Sequence, residues 1–271
     1  MKKRLDVILT ERGMFPSREK AKASIMAGLI YVDGVMTDKA GTAVPEDAEV
    51  TVKEQLCPYV SRGGLKLEKA ADTFDFAIEG VKAMDIGAST GGFTDCMLQK
   101  GASQVYAVDV GYGQLDWKLR NDERVVNIEK TNIRFFDTAG LEDSFGLISI
   151  DVSFISLKLV LPVAAKLISA EGAVICLVKP QFEAGREQVG KKGIVRDKAV
   201  QRETVENVIG YGKENGLEAK GLTFSPVTGA KGNIEFLLYL KKGDGESCVT
   251  QEMIKQTVDE AHEALENAKE E

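Results

Sequence analysis

Apolar residues recur three or four positions apart at the start of the chain. Leu5, Ile8 and Leu9 share one helical face, and Gly13 marks a stop. SREKAKASIMAGL predicts a second helix, with Ser17 as N-cap, Ala21, Ile25 and Leu29 facing inward and Gly28 ending it. Lys20 stands where a capping box would carry an acid or amide, so that helix rests on its periodicity. The period then changes to two. IYVDGVMT reads as two short strands around Asp33-Gly34, and AEVTVKE as a third. Further on, strand patterns (VKAMDIGA, QVYAVDVG, RVVNIEK, FGLISIDVS, GAVICLVKP) alternate with helical ones such as GFTDCMLQKG and ISLKLVLPVAAKLIS. This alternation predicts an α/β fold: a doubly wound, mainly parallel sheet with right-handed crossovers. AKGLTFSPVTGAKGNIEFLLYLKK has no helix between its last two strands, which should form a terminal antiparallel hairpin.

Four segments follow from the pattern: a small α+β domain over 1–60, a linker over 61–65, the α/β domain over 66–243, and an acidic, helix-prone tail over 244–271. The tail reads as a solvated or frayed helix. In the linker SRGGLKLEKA, Gly63 and Gly64 read as a hinge just before Lys66.

Charge is segregated along the chain. The net charge is −7, yet residues 244–271 hold nine acidic and two basic groups and account for all of it. The first 22 residues hold seven basic and three acidic groups, so an acidic average does not exclude a nucleic-acid partner. No apolar run is long and uninterrupted enough for a bilayer, and Asp6, Glu11 and Arg12 break up any secretory signal core. Cys57, Cys96, Cys176 and Cys248 are too scattered for a zinc or disulfide framework, so a reducing cytoplasm and no metal are expected.

Helix, helix opening on Ser-Arg, then Ile-Tyr-Val-Asp-Gly: this order resembles the S-four type of RNA-binding module. On charge alone, a solvated basic helix face is the commoner reading. The resemblance implies an RNA surface drawing on Arg4, Arg18, Lys20 and Lys22. With no aromatic run among them, backbone and shape would be read rather than base sequence.

The strongest local signal is AMDIGASTGGFTDCML. A strand ends at Asp85, glycines 87, 91 and 92 make a tight turn, and a helix follows whose N-terminus offers free N–H groups. Asp109 ends the next strand, where a carboxylate can accept the hydroxyls of an adenosine ribose. The geometry suits NAD and S-adenosyl-L-methionine equally. The only histidine, His262, lies in the tail and no Tyr-x-x-x-Lys occurs, which removes the usual dehydrogenase chemistries and leaves S-adenosyl-L-methionine.

The segment DIGASTGGFTDCMLQKGASQVYAVDVGYGQLDWKLR resembles the TlyA family, rRNA 2′-O-methyltransferases also labelled haemolysins. It is similar, more distantly, to FtsJ-type RNA ribose methyltransferases, which usually carry Ala-Pro where Ser89-Thr90 stand here. The resemblance spans everything but the tail. It implies a cofactor site of Asp85, Gly87, Ser89, Thr90, Gly91, Gly92, Phe93 and Asp109, and cytidine 2′-O-methylation on ribosomal RNA or ribosomal subunits.

Ionisable residues also end or interrupt apolar strands: Asp151 after LISI, Lys179 after AVICLV, and Glu235 inside IEFLLYL. Buried charges are normally paired, so one structural salt bridge would explain part of this. The resemblance implies more. Ribose methyltransferases use a Lys-Asp-Lys-Glu tetrad, matched here by Lys66, Asp151, Lys179 and Glu235. Glu183 in KPQFE is expected to be structural or substrate-facing. A free lysine is neutral in only roughly 0.04% of molecules at pH 7, so its neighbours decide its role. Lys179 is the expected proton acceptor or hydroxyl orienter, with Lys66 positioning the ribose and the two carboxylates fixing the lysines.

FEAGREQVGKKGIVRD, with Arg186, Lys191, Lys192 and Arg196, reads as a mobile loop for gripping RNA or closing over the cofactor, or as a plain surface loop. Trp117 is expected in the core. Two other functions are compatible with parts of the sequence. A membrane-active haemolysin needs an amphipathic or spanning segment, and neither is evident. A non-catalytic ribosome-binding factor does not explain an intact tetrad.

Overall fold

The computed structural model describes residues 2–26, 29–52, 57–229 and 232–267. Two compact units divide the chain, Met1–Pro58 and Tyr59–Glu271. Each has a hydrophobic core of its own.

In the first unit, β1 (Lys2–Arg4) leads into α1 (Leu5–Glu11), whose Leu5, Ile8 and Leu9 are buried as their spacing predicts. Gly13 ends the turn with φ +68°. The N–H of Lys20 donates to Ser17 Oγ at 3.3 Å at the start of α2 (Arg18–Met26), and Ala21 and Ile25 are fully buried. The helix stop expected at Gly28 lies outside the described residues. Next come β2 (Ile30–Val32) and β3 (Val35–Met36), joined through Asp33 and Gly34, both with positive φ as a tight hairpin requires. Then β4 (Ala43–Pro45) pairs with β1, and β5 (Val50–Val52) pairs with β2.

The second unit opens with α3 (Gly63–Thr73), then β6 (Lys82–Ile86), α4 (Gly92–Gln99), β7 (Gln104–Val108), α5 (Trp117–Arg120), β8 (Val125–Ile128) and β9 (Phe145–Ile150). After these come α6 (Leu161–Leu167), β10 (Ile168–Val178), α7 (Pro180–Glu183), α8 (Lys198–Glu214), β11 (Leu217–Phe224), β12 (Phe236–Lys242) and α9 (Gln251–Asn267). The seven strands lie in the order β11-β12-β10-β9-β6-β7-β8. Six run in the same direction, and β12 alone is reversed, pairing antiparallel with both β10 and β11. The chain moves outward from β6 through β7 and β8, then returns to place β9 on the other side of β6. That reversal opens a crevice at the carboxyl ends of β6 and β9, where open α/β sheets bind ligands.

Four sequence expectations differ from the structure. The long helix expected over 155–169 is a 3-10 turn followed by the seven-residue α6, because Pro162 fits only in a helix's first turn. The SAEG stretch over 169–172, between the expected helix and the strand GAVICLVKP, belongs to the bulged start of β10. Glu235 is not inside β12 but immediately before it. The tail is not solvated: Ile254, Val258 and Ala261 of α9 form a helical stripe buried in the main core. Its dense charges hid that stripe.

Candidate active site

Asp85 at the end of β6 is 1% exposed and accepts three hydrogen bonds, from Thr94 N at 3.0 Å, Thr94 Oγ1 at 2.7 Å and Ser149 Oγ at 2.9 Å. It therefore ties β6 to the first turn of α4 and to β9. Burial pushes its carboxyl up to about 6 against the Thr94 and Ser149 bonds, with the Asp151 charge adding to the rise. Gly87 follows at φ +87°, and a Cβ there would overlap the backbone carbonyl of Asp151. This close approach sets the loop against the end of β9.

Around this junction lies a cavity of about 350 Å³, lined by Asp85, Gly87, Ser89, Thr90, Gly92 and Phe93 from the glycine loop, and by Lys66 and Asp151. Gly91 and Asp109 do not line it. Gly91, at φ +94°, presses against Leu115 and Leu119. Asp109 accepts from the N–H groups of Ser89 at 2.8 Å and Gly111 at 2.7 Å, so it braces the loop from the side.

Gly63 and Gly64 are the first residues of α3, and their role is packing rather than hinging. A Cβ on Gly64 would overlap the Tyr59 ring, and one on Gly92 would meet Gly64 N at 2.8 Å and Gly63 Cα at 3.1 Å. Bare backbone on both sides lets the starts of α3 and α4 touch. Tyr59 is fixed through its hydroxyl, which donates to Glu68 at 2.7 Å, and Val60 N donates to Asp95 Oδ2 at 2.9 Å. One turn into α3, Lys66 thereby reaches the crevice.

Four side chains from four elements meet there as a chain of alternating charge. Lys179, after β10, lies 2.5 Å from Asp151 Oδ1; Asp151, after β9, lies 3.4 Å from Lys66 Nζ; Lys66 lies 2.8 Å from Glu235 Oε2. Lys66, Lys179 and Glu235 are all buried. For Lys66, burial alone would lower the pKa, but Asp151 and Glu235 outweigh it and the ammonium is held above its ordinary value. Burial would likewise raise Asp151, yet Lys66 and Lys179 hold it below the carboxylate range. Lys179 also donates to Ser153 Oγ at 3.1 Å. Gln181 Nε2 donates to Glu235 Oε1 at 3.3 Å, and Gln181 Oε1 is the one buried side-chain polar atom without a partner among the described residues.

Glu183 accepts from Ser156 Oγ at 2.7 Å and Leu157 N at 2.8 Å, fixing the loop after Asp151. In that loop Phe154 is 92% exposed at φ +63°, its ring 5.0 Å from that of Phe182. Trp117, expected in the core, is 76% exposed. It opens the four-residue α5, which points Leu119 inward and leaves its first side chain outside.

In the first unit, Arg4 and Arg18 both grip the fully buried Asp6, at 2.9 Å and 2.8 Å. The Arg4 hydrogen bonds, then those of Arg18, overcome burial and hold the Asp6 carboxyl down at about 2. Both guanidinium groups keep about half their surface in solvent while anchoring this core acid. Lys20 is exposed and Lys22 half-buried.

Residues 59–242 match the FtsJ-like methyltransferase family. The chain belongs to that family. Residues 3–50 match the S4 domain. The chain is 52% identical over 272 residues to YqxC of Bacillus subtilis, named as an rRNA methyltransferase, covering 99% of this chain and 97% of that protein. It is 42% identical to the 16S/23S rRNA (cytidine-2′-O)-methyltransferase TlyA of Mycobacterium tuberculosis, over 88% of this chain and 89% of that one. A solved structure of a hemolysin-named protein from Streptococcus thermophilus superposes with a TM-score of 0.79 at 47% identity, covering 100% of this chain and 99% of that one.

In this FtsJ-like methyltransferase the cavity wall also includes Ser61, Arg62, Ala88, Ser153 and Val227 to Gly229, which the strand and helix patterns do not mark. Gly229 left one trace in the sequence, a glycine six residues before Glu235. A Cβ there would overlap the Glu235 carboxylate.

Proposed function

We propose that the chain transfers a methyl group to the ribose 2′-hydroxyl of a cytidine in ribosomal RNA, using S-adenosyl-L-methionine, with Lys66, Asp151, Lys179 and Glu235 as the catalytic set. The observation that carries this reading is the unbroken Lys179–Asp151–Lys66–Glu235 chain beside the glycine-loop cavity. The cavity's volume lies in the range of small-molecule sites. Its donor set fits the cofactor: Arg62 for a carboxylate, Asp151 for cationic groups, and the hydroxyls of Ser61, Ser89 and Thr90. When bound, S-adenosyl-L-methionine supplies an electrophilic methyl group.

The chain's own residues have two tasks, alignment and removal of a weakly acidic proton. Lys66, clamped between two carboxylates, stays a cation and positions the ribose. Lys179 faces one carboxylate and a serine hydroxyl, and takes or orients the proton of the 2′-hydroxyl. Asp151 and Glu235 hold the two lysine side chains apart and in place. Arg4, Arg18, Lys20 and Lys22 of the S4 domain contact RNA phosphates. Membrane lysis has less support, because the apolar stripe of the acidic helix α9 is buried in the core and no helix among the described residues is long and apolar enough to cross a membrane.

The test is incubation of the protein and radiolabelled S-adenosyl-L-methionine with separated, unmethylated ribosomal subunits, followed by mapping of the label. Label on a cytidine ribose is expected, and absence of label from both subunits would defeat the proposal.

A further inference from the structure

A second cavity, of about 330 Å³, lies in the loop between α7 and α8, lined by Gln188, Gly190, Lys191, Lys192, Ile194 and Arg196. The loop is tightly closed on itself. Gly193 N donates to Gly190 O at 2.7 Å and Gly190 N to Ile194 O at 3.1 Å, which puts Lys191 and Lys192 at the two corners of a turn. Both lysines and Arg196 are exposed, and none of them enters an ion pair or side-chain hydrogen bond among the described residues. Lys118, Arg124 and Lys198 of this unit, by contrast, each have a carboxylate partner. Of the acids flanking the loop, Asp197 accepts from Ala199 N at the start of α8 and Glu203 from Gln188, while Glu187 is exposed.

This cationic turn is held from beneath by two buried side chains. Asn233 Oδ1 accepts from Val195 N at 3.1 Å and its Nδ2 donates to Gly193 O at 2.9 Å, while Gln201 Nε2 donates to Val195 O at 2.9 Å. Asn233 stands two residues before Glu235, so the loop is pinned to the strand approach that carries a tetrad carboxylate.

We infer that the Gly190–Arg196 turn is a phosphate-binding clamp for the RNA backbone, separate from the cofactor cavity, which fixes the strand so that its target ribose enters the tetrad. Three unpartnered cations around one concavity suit a phosphodiester, and a turn pinned at Asn233 holds them in place without a helix or strand. The inference rests on the RNA-methyltransferase reading for its choice of anion.

The test compares the full chain with a K191A/K192A/R196A variant, using unmethylated ribosomal subunits. Expected are at least a tenfold rise in KM for subunits near 0.15 M salt and a fall of about two to three in the slope of log binding constant against log salt, roughly one per lost phosphate contact. Turnover at saturating subunits and S-adenosyl-L-methionine affinity by calorimetry should stay within twofold of the parent, and K191R/K192R should bind like it. An unchanged KM and salt slope would overturn the clamp, as would loss of cofactor affinity, which would make the turn a cofactor lid. If the parent itself transferred no methyl to either subunit, the proposed function would fall, and the salt slope of binding would still decide the clamp.

Discussion

Lys66 has a carboxylate on either side, Glu235 at 2.8 Å and Asp151 at 3.4 Å, whereas Lys179 faces Asp151 alone among carboxylates. Removing Lys179 leaves Asp151 still paired with Lys66, so the fold should survive while the proposed proton acceptor or orienter is lost. Lys179→Ala is expected to lower turnover by about 10²–10⁴-fold with S-adenosyl-L-methionine affinity nearly unchanged. Lys179→Arg separates the two roles left open for this residue. An arginine keeps the cation but does not deprotonate, so recovery of turnover by Arg would mean orientation alone, and no recovery would mean proton transfer. Asp85 makes a prediction about stability. Its carboxyl titrates at about 6 in the folded chain against about 3.9 unfolded, so the folded state holds a proton that the unfolded state has released between those values. Below about pH 4 both states are protonated and nothing is lost; as pH rises to 6 the stability falls, leaving a standing cost of about 3 kcal/mol above it. Asp85→Asn cannot ionise. Relative to the parent, its unfolding free energy should therefore climb by about that amount between pH 4 and 7 in urea titrations, and a pH-independent difference would refute the assignment.

At the scale of elements, the Gly63-Gly64 pair makes two neighbouring positions behave differently. A Cβ on Gly63 would sit at 3.4 Å from Ser61 Oγ and 3.7 Å from Phe93, ordinary contacts, whereas one on Gly64 would overlap the Tyr59 ring. Gly63→Ala is expected to be nearly silent. Gly64→Ala should destabilise by about 1–3 kcal/mol and lower turnover, because α3 must move and carry Lys66 with it. Adding Tyr59→Ala should restore part of that loss. Equal effects at the two glycines would return them to the role of a hinge. Flexible linker and close packing use the same residue, and only the neighbouring ring tells them apart. The same dependence on neighbours separates what is legible in the sequence from what is not. Strands β6, β7 and β9 were marked by mainly apolar runs that close on Asp85, Asp109 and Asp151, and the hairpin by Asp33-Gly34. The α9 stripe and the exposure of Trp117 were not legible, since both depend on which face of a short or highly charged helix meets a neighbour. The tetrad residues could be named from their resemblance to a family, but their order in space, with Lys66 between the acids, required the sheet order β12-β10-β9-β6.

At the scale of the whole molecule, two units with separate cores divide the work between them. The first carries Arg4 and Arg18 tied to a buried acid, with Lys20 and Lys22 nearby, and no counterpart of the tetrad. The second carries the cavity, the tetrad and the basic turn, and its core is closed by its own C-terminal helix. A chain of residues 57–271 keeps Tyr59 and Ser61, which pack on Gly64 and Gly92, and so should fold and bind S-adenosyl-L-methionine within a fewfold of the full chain. It lacks the phosphate contacts proposed for the first unit. Its affinity for ribosomal subunits should fall by more than tenfold, and its salt slope should drop by about one for each S4-domain cation that touches a phosphate. At subunit concentrations high enough to saturate it, turnover should recover toward that of the full chain, because the aligned lysines and carboxylates are all retained. Calorimetry for the cofactor and filter binding across a salt series for the subunits separate these effects. A truncated chain with unchanged subunit affinity would show that recognition resides in the methyltransferase unit alone, with the basic turn at Lys191 and Lys192 as its principal grip.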